Sequence, residues 1–171
     1  MPRRRPGALR ATQRTSGHVR QWARDSGTID RLSAATTAAI RLVEYRGYFG
    51  GHRHDGEPYD HDPFHEHVRP GRTGPFLKDY RAFLRRPGRR LRLEASICPS
   101  CPGCQYMDLA LVRDALETIT RLLPPPARGE MRRLLNRLDQ EFRRRTLPDS
   151  HPRSSWAGET LPWWHRRIYQ N

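Results

Sequence analysis

The chain has 171 residues, 35% hydrophobic and 29% charged, with 15 prolines, 13 glycines and a net charge of +14. That length suits one domain with a modest core, and the shortage of apolar surface predicts irregular arms beside it. No apolar run approaches the ~20 residues that span a bilayer, and the cationic excess points to polyanionic partners, nucleic acid before anionic membrane.

Residues 1–24 hold seven arginines and no acid. The stretch lacks the apolar segment of a secretory signal and shares with organellar transit peptides only its Arg-rich, acid-poor character. Residues 1–27 are expected to be a basic arm, disordered on its own, and residues 28–171 a small, mainly α-helical domain. Thr28 to Tyr45 reads as the first helix, with Asp30 as its cap and Leu32, Ala35, Ala39, Leu42 and Val43 as its inner face.

A loop insert over residues 51–74 follows. Its 51–67 stretch packs five histidines beside Asp55, Glu57, Asp60, Asp62 and Glu66. Histidine and carboxylate both bind divalent metals, and His61 and His65 are one helical turn apart, but Pro58 and Pro63 argue against a continuous helix there. The pattern matches no metallohydrolase signature, so a solvated polar loop is the better reading, with a metal-dependent enzyme site as the alternative.

Residues 68–94 are again basic, with nine cations against Asp79 and Glu94. Pro75 to Arg85 reads as a short helix with Phe76, Tyr80, Phe83 and Leu84 on one side, and Arg90 to Glu94 as a brief extended segment. Arg-Pro-Gly occurs at residues 5–7, 69–71 and 86–88. Extended arginines stiffened by proline suit a phosphate backbone, which nominates Arg3, Arg4, Arg5, Arg69, Arg72, Arg85, Arg86, Arg89 and Arg90 as nucleic-acid contacts, DNA or RNA undecided.

All three cysteines fall in Cys98-Pro-Ser-Cys101-Pro-Gly-Cys104. Overlapping C-P-x-C turns direct thiolates at one tetrahedral ion, so Cys98, Cys101 and Cys104 form a zinc-type loop that lacks one ligand. His151 is the first candidate for that ligand, with His61, His65 and Asp108 as alternatives. Three of the four positions of a bacterial iron–sulfur run are also present, with Asp108 at the fourth, which makes a cluster the competing cofactor. An odd, clustered cysteine count does not resemble a disulfide framework and points to a reducing cytoplasm.

Leu109, Val112, Leu116, Ile119 and Leu123 mark one face of a helix over 106–123. Prolines 124–126 interrupt the chain, and a second helix begins at about Pro126 with the stripe Met131, Leu134, Leu135, Leu138 and Phe142, ending at Leu147-Pro148. The two read as a C-terminal αα-hairpin. The tail, with Trp156 and Leu161 to Tyr169, is read as an aromatic cap on a small core, leaving Arg166 and Arg167 exposed for phosphate.

The run Cys-Pro-x-Cys-Pro-Gly, then Leu-Pro-Pro-Pro-Ala-Arg-Gly-Glu, Arg-Arg-Arg-Thr-Leu-Pro-Asp and Trp-Trp-His-Arg-Arg resembles uncharacterised Arg-rich proteins of actinobacteria. The resemblance implies a bacterial origin and no mechanism. No phosphate-binding glycine loop or nucleophile elbow is present. The expected function is non-enzymatic nucleic-acid binding by a zinc-stabilised domain, the alternatives being the metal-dependent enzyme and a module that binds an acidic protein partner.

Overall fold

The structure is a computed structural model that describes residues 29–50 (side chains to 47), 68–98, 104–152 and 160–170. Within them the chain is mainly helical: α1 Ala34–Gly50, α2 Thr73–Leu84, α3 Leu109–Leu122 and α4 Pro125–Arg145, with 3₁₀ turns at Ile29–Arg31 and Gln105–Met107. Among the described residues no strand forms. Single bridges join Leu91 to Thr146, Leu93 to Tyr169 and Pro148 to Arg167. None of the described helices is long and apolar enough to cross a membrane.

Helix α1 starts later than its composition predicts. Asp30 and Arg31 adopt left-handed backbone angles, with φ of 46° and 67°, and Asp30 turns away to pair with Arg81 at 2.6 Å. The cap is Ser33, whose hydroxyl accepts the Thr36 amide at 3.2 Å. Glu130 of α4 reinforces it, accepting from the Ser33 amide at 2.8 Å, from the Ser33 hydroxyl at 2.7 Å and from the Thr36 hydroxyl. The buried face is also rotated from the expected one. Thr36, Thr37, Ile40 and Glu44 are buried, while Ala35 and Leu42 are exposed.

The reason for that rotation lies in α2. Glu44 has no exposed surface, yet it accepts from the Gly71 amide at 2.8 Å and from the amide and hydroxyl of Thr73 at 2.9 and 2.5 Å. It therefore supplies the acceptor that the start of α2 lacks, since Arg72 offers no side-chain cap. Phe76, Leu77, Tyr80, Phe83 and Leu84 then turn one face of α2 into the core. Burying a side chain of that size contributes roughly 1.5–3 kcal/mol.

Asp108 caps α3 by accepting from the Ala110 amide at 2.8 Å. Pro124 is the N-cap of α4, with prolines at its first positions. There a missing N–H leaves no intrahelical bond unmade. The whole predicted stripe of α4, Met131, Leu134, Leu135, Leu138 and Phe142, is buried. A polar knot runs through this core. Asp139 accepts from the Tyr80 hydroxyl at 2.7 Å and pairs with Arg113 at 3.0 Å, and Arg113 also pairs with Glu117 at 3.1 Å. Burial, followed by the adjacent Asp139 charge, pushes the Tyr80 phenol far up and keeps it a donor.

The described tail lies on this core. Trp164 is buried, its indole N–H donates to Asp114 at 2.7 Å, and His165 meets the other oxygen of the same carboxylate at 2.6 Å. Trp156 lies outside the described residues.

Candidate nucleic-acid interface

The basic turn that follows α2 does not stand alone on the surface. Arg145, the last residue of α4, donates to the carbonyls of Leu84 at 2.5 Å, Arg86 at 2.8 Å and Gly88. In return Arg90 donates to the Arg144 carbonyl at 2.6 Å, and the Leu91 amide donates to that of Arg145 at 2.7 Å. Two carbonyls at the end of α4, which a helix leaves without internal donors, are thus satisfied by the turn. Gly88, at φ 102°, permits the bend.

The docking divides the arginines by what they are left to do. Arg86 pairs with Glu94 at 2.5 Å and lies over the Phe83 ring, and Arg144 pairs with Glu141 at 2.6 Å. Arg85 and Arg89 are exposed and have no carboxylate partner among the described residues. Arg85 and Arg89 therefore present cationic groups from a backbone held in place at both ends, whereas Arg90 is engaged by the Arg144 carbonyl. Guanidiniums of this kind bind oxyanions through paired N–H donors.

Arg69 and Arg72 do not join this patch. They flank the opposite end of α2, a helix of 12 residues, or roughly 18 Å away at 1.5 Å per residue. The Arg72 guanidinium lies 5.3 Å from the Phe76 ring centre and 5.6 Å from that of Tyr106. Its Nε is buried without a hydrogen-bond partner. Arg72 covers two aromatic rings, whereas Arg69 is half-buried. Arg3, Arg4 and Arg5 lie outside the described residues.

The tail corrects one expectation. Arg166 is exposed, but Arg167 is buried at 8% exposure. The guanidinium carbons of Arg143 and Arg167 lie 4.0 and 5.2 Å from the centre of the Trp163 ring. Trp163 also packs on Phe142 and Trp164. The ring is half-buried, with two guanidiniums and two aromatic rings already packed against it.

Of the cysteine run, Cys98 and Cys104 are described and Cys101 is not. The Ser96 hydroxyl donates to the Cys104 carbonyl at 2.9 Å and accepts from the Cys98 amide at 3.3 Å, tying the two ends of the run to one side chain. A 3₁₀ turn separates Cys104 from α3, and Asp108 takes the capping position. Asp108 is also the acceptor of the Tyr169 hydroxyl at 3.1 Å. Burial raises its carboxyl above the usual value, opposed by its hydrogen bonds to Ala110 and Tyr169. It is thus already committed.

His151 stands on an exposed loop, its ring beside the Ser150 hydroxyl at 2.9 Å. Among the described residues no three histidine, cysteine or carboxylate side chains converge to hold a metal. His61 and His65 lie outside them.

Protein-family models, curated proteins and solved structures show no significant match to this chain. Arg145, whose side chain fastens the turn, is placed by the sequence only at the end of a helix, where a cation complements the dipole. Nothing in the local sequence marks the carbonyls it reaches some 60 positions earlier.

Proposed function

We propose that this protein is a non-enzymatic nucleic-acid-binding protein whose phosphate-contacting surface is the Arg85–Arg90 turn. The observation that carries the reading is the docking of that turn on the end of α4, which leaves Arg85 and Arg89 exposed and, among the described residues, without carboxylate partners. A net charge of +14 supplies the wider field. Helices α3 and α4, read as an αα-hairpin, are the frame that presents the surface. Contacts of this type read the phosphate backbone and are expected to serve DNA and RNA alike.

The same reading takes the cysteine run as a structural zinc loop. The Ser96 bridge supports it, because it ties Cys98 and Cys104, the two ends of the run, to one side chain. The remaining ligand is a histidine, His151 or one of His61 and His65, since Asp108 is engaged as a cap. Elemental analysis of anaerobically purified protein tests this half. We expect one zinc per chain, lost in Cys98→Ser or Cys104→Ser. A brown, iron-containing protein would shift the assignment to a cluster, and a metal-free one would end it.

The nucleic-acid half is tested by fluorescence anisotropy on labelled duplex DNA and single-stranded RNA. Replacing Arg85 and Arg89 together by Gln should weaken binding evenly across sequences. It should also make the dependence of log K on log salt shallower by about 2. Unchanged affinity in this double variant would refute the assignment of the turn. Binding that instead survives nuclease treatment, through a captured acidic protein, would favour the interaction-module reading.

A further inference from the structure

A second basic feature lies elsewhere and has a different shape. Between the Ile29–Arg31 turn, α2 and α4 is a cleft of about 460 Å³. Four arginines line it, Arg31, Arg81, Arg133 and Arg137, together with Asp30 and Glu130. The edges of Leu32, Leu134 and Leu138, each only 4–8% exposed, form a narrow apolar floor.

Both acids are occupied. Asp30 is paired with Arg81 at 2.6 Å. Glu130 is directed at α1 by three hydrogen bonds from Ser33 and Thr36. Arg31, Arg133 and Arg137 are exposed, and no carboxylate pairs with them among the described residues. Arg133 and Arg137 stand four positions apart on α4, so they are neighbours on one helix face. Arg31 is brought opposite them by the left-handed pair Asp30 and Arg31. Such backbone angles are costly for residues with a side chain and persist where the surroundings hold them, as the Arg81 pair does here.

Three guanidiniums with no ion-paired carboxylate among the described residues, Arg133 acting on Glu130 only at longer range, surround a concave cleft that differs from the exposed turn of the proposed nucleic-acid surface. The volume falls within the ~300–1,000 Å³ of small-molecule sites. Arginine forks match phosphate oxygens, and the leucine floor suits a flat or apolar moiety. We propose that this cleft binds a phosphorylated small molecule of nucleotide size. Arg31, Arg133 and Arg137 hold its phosphates, and its apolar part rests against Leu32 and Leu134. The site is independent of the nucleic-acid reading and stands if that reading fails.

The test is calorimetric titration of the full chain with ADP, inorganic pyrophosphate and adenosine as probes. The expected result is one saturable site for ADP, weaker binding of pyrophosphate and none of adenosine. Arg133→Gln with Arg137→Gln should reduce ADP affinity by about tenfold or more. Both side chains are exposed, so the melting curve should be retained, and Arg31→Gln offers a second variant outside the long helices. The Arg85→Gln/Arg89→Gln protein should bind ADP within about twofold of the parent, which separates this site from the turn. Absence of saturable ADP binding at millimolar concentration, or a double variant that binds like the parent, would overturn the proposal. Equal affinities for ADP and pyrophosphate would overturn its apolar half.

Discussion

Glu44 and Glu130 are carboxylates whose importance comes from residues far away in the chain. Glu44 is wholly enclosed and satisfies the amides of Gly71 and Thr73 at the start of α2, and Glu130 does the same for Ser33 and Thr36 at the start of α1. The Thr36 hydroxyl, then the hydroxyl and amide of Ser33, hold the Glu130 carboxyl below its ordinary 4.5. A carboxyl held low in the folded state stabilises the fold above its unfolded value, and the contribution is lost as pH falls through the folded one. The stability difference between parent and Glu130→Gln should therefore be largest near neutral pH and shrink below pH 4.5. Denaturant titrations at neutral pH and near pH 3 read this, and a pH-independent difference would contradict it. Neither role is visible locally. A lone glutamate in a helix reads as solvated until its partner is known, which is why Leu42 was expected inside and Glu44 was not.

At the scale of elements, legibility followed the density of apolar spacing. The stripe of α4 from Met131 to Phe142 is buried in full, because each of its positions packs on apolar neighbours and needs no particular partner. The Phe76, Tyr80, Phe83 and Leu84 face of α2 was legible for the same reason. Helix α1 was not, since three of the four described residues it buries, Thr36, Thr37 and Glu44 beside Ile40, are polar. Its approach to the neighbouring chain can be tested through glycines. A methyl group at Gly47 would lie 2.7 Å from Cγ1 of Val68, a buried and stiff side chain, whereas one at Gly74 of α2 meets nothing within 4 Å. Alanine is favoured over glycine in a helix by roughly 0.5–1 kcal/mol, and overpacking costs roughly 1–3 kcal/mol. Gly74 lies in the first turn directly before Pro75, whose ring disfavours helical angles in a predecessor with a Cβ, so Gly74→Ala should be near neutral, within about 0.5 kcal/mol. Gly47→Ala should destabilise by about 1 kcal/mol, a sign that reverses in a Val68→Ala background. Stabilisation by Gly47→Ala in the parent chain would show that the contact yields.

For the whole molecule, charge was legible and its arrangement was not. The basic blocks are plain in the sequence, but folding sorts their arginines into different duties. Arg113 is fixed in the core by Asp139, Arg72 and Arg167 lie over aromatic rings, Arg145 fastens a turn, and Arg85 and Arg89 are left for solvent or a partner. Cation count alone does not make that division, because it depends on which carbonyl, carboxylate or ring each side chain reaches across the fold. Nothing in the sequence pointed to Ser96 as the side chain that joins Cys98 to Cys104.

The most direct measurement of the central claim is the equilibrium affinity of the full chain for a short duplex as salt is raised from 50 to 200 mM. If exposed arginines neutralise phosphates, log K falls linearly with log salt. The slope should be about −2 or steeper, from Arg85 and Arg89 alone or with further contacts. An affinity that stays level across that range would contradict the account.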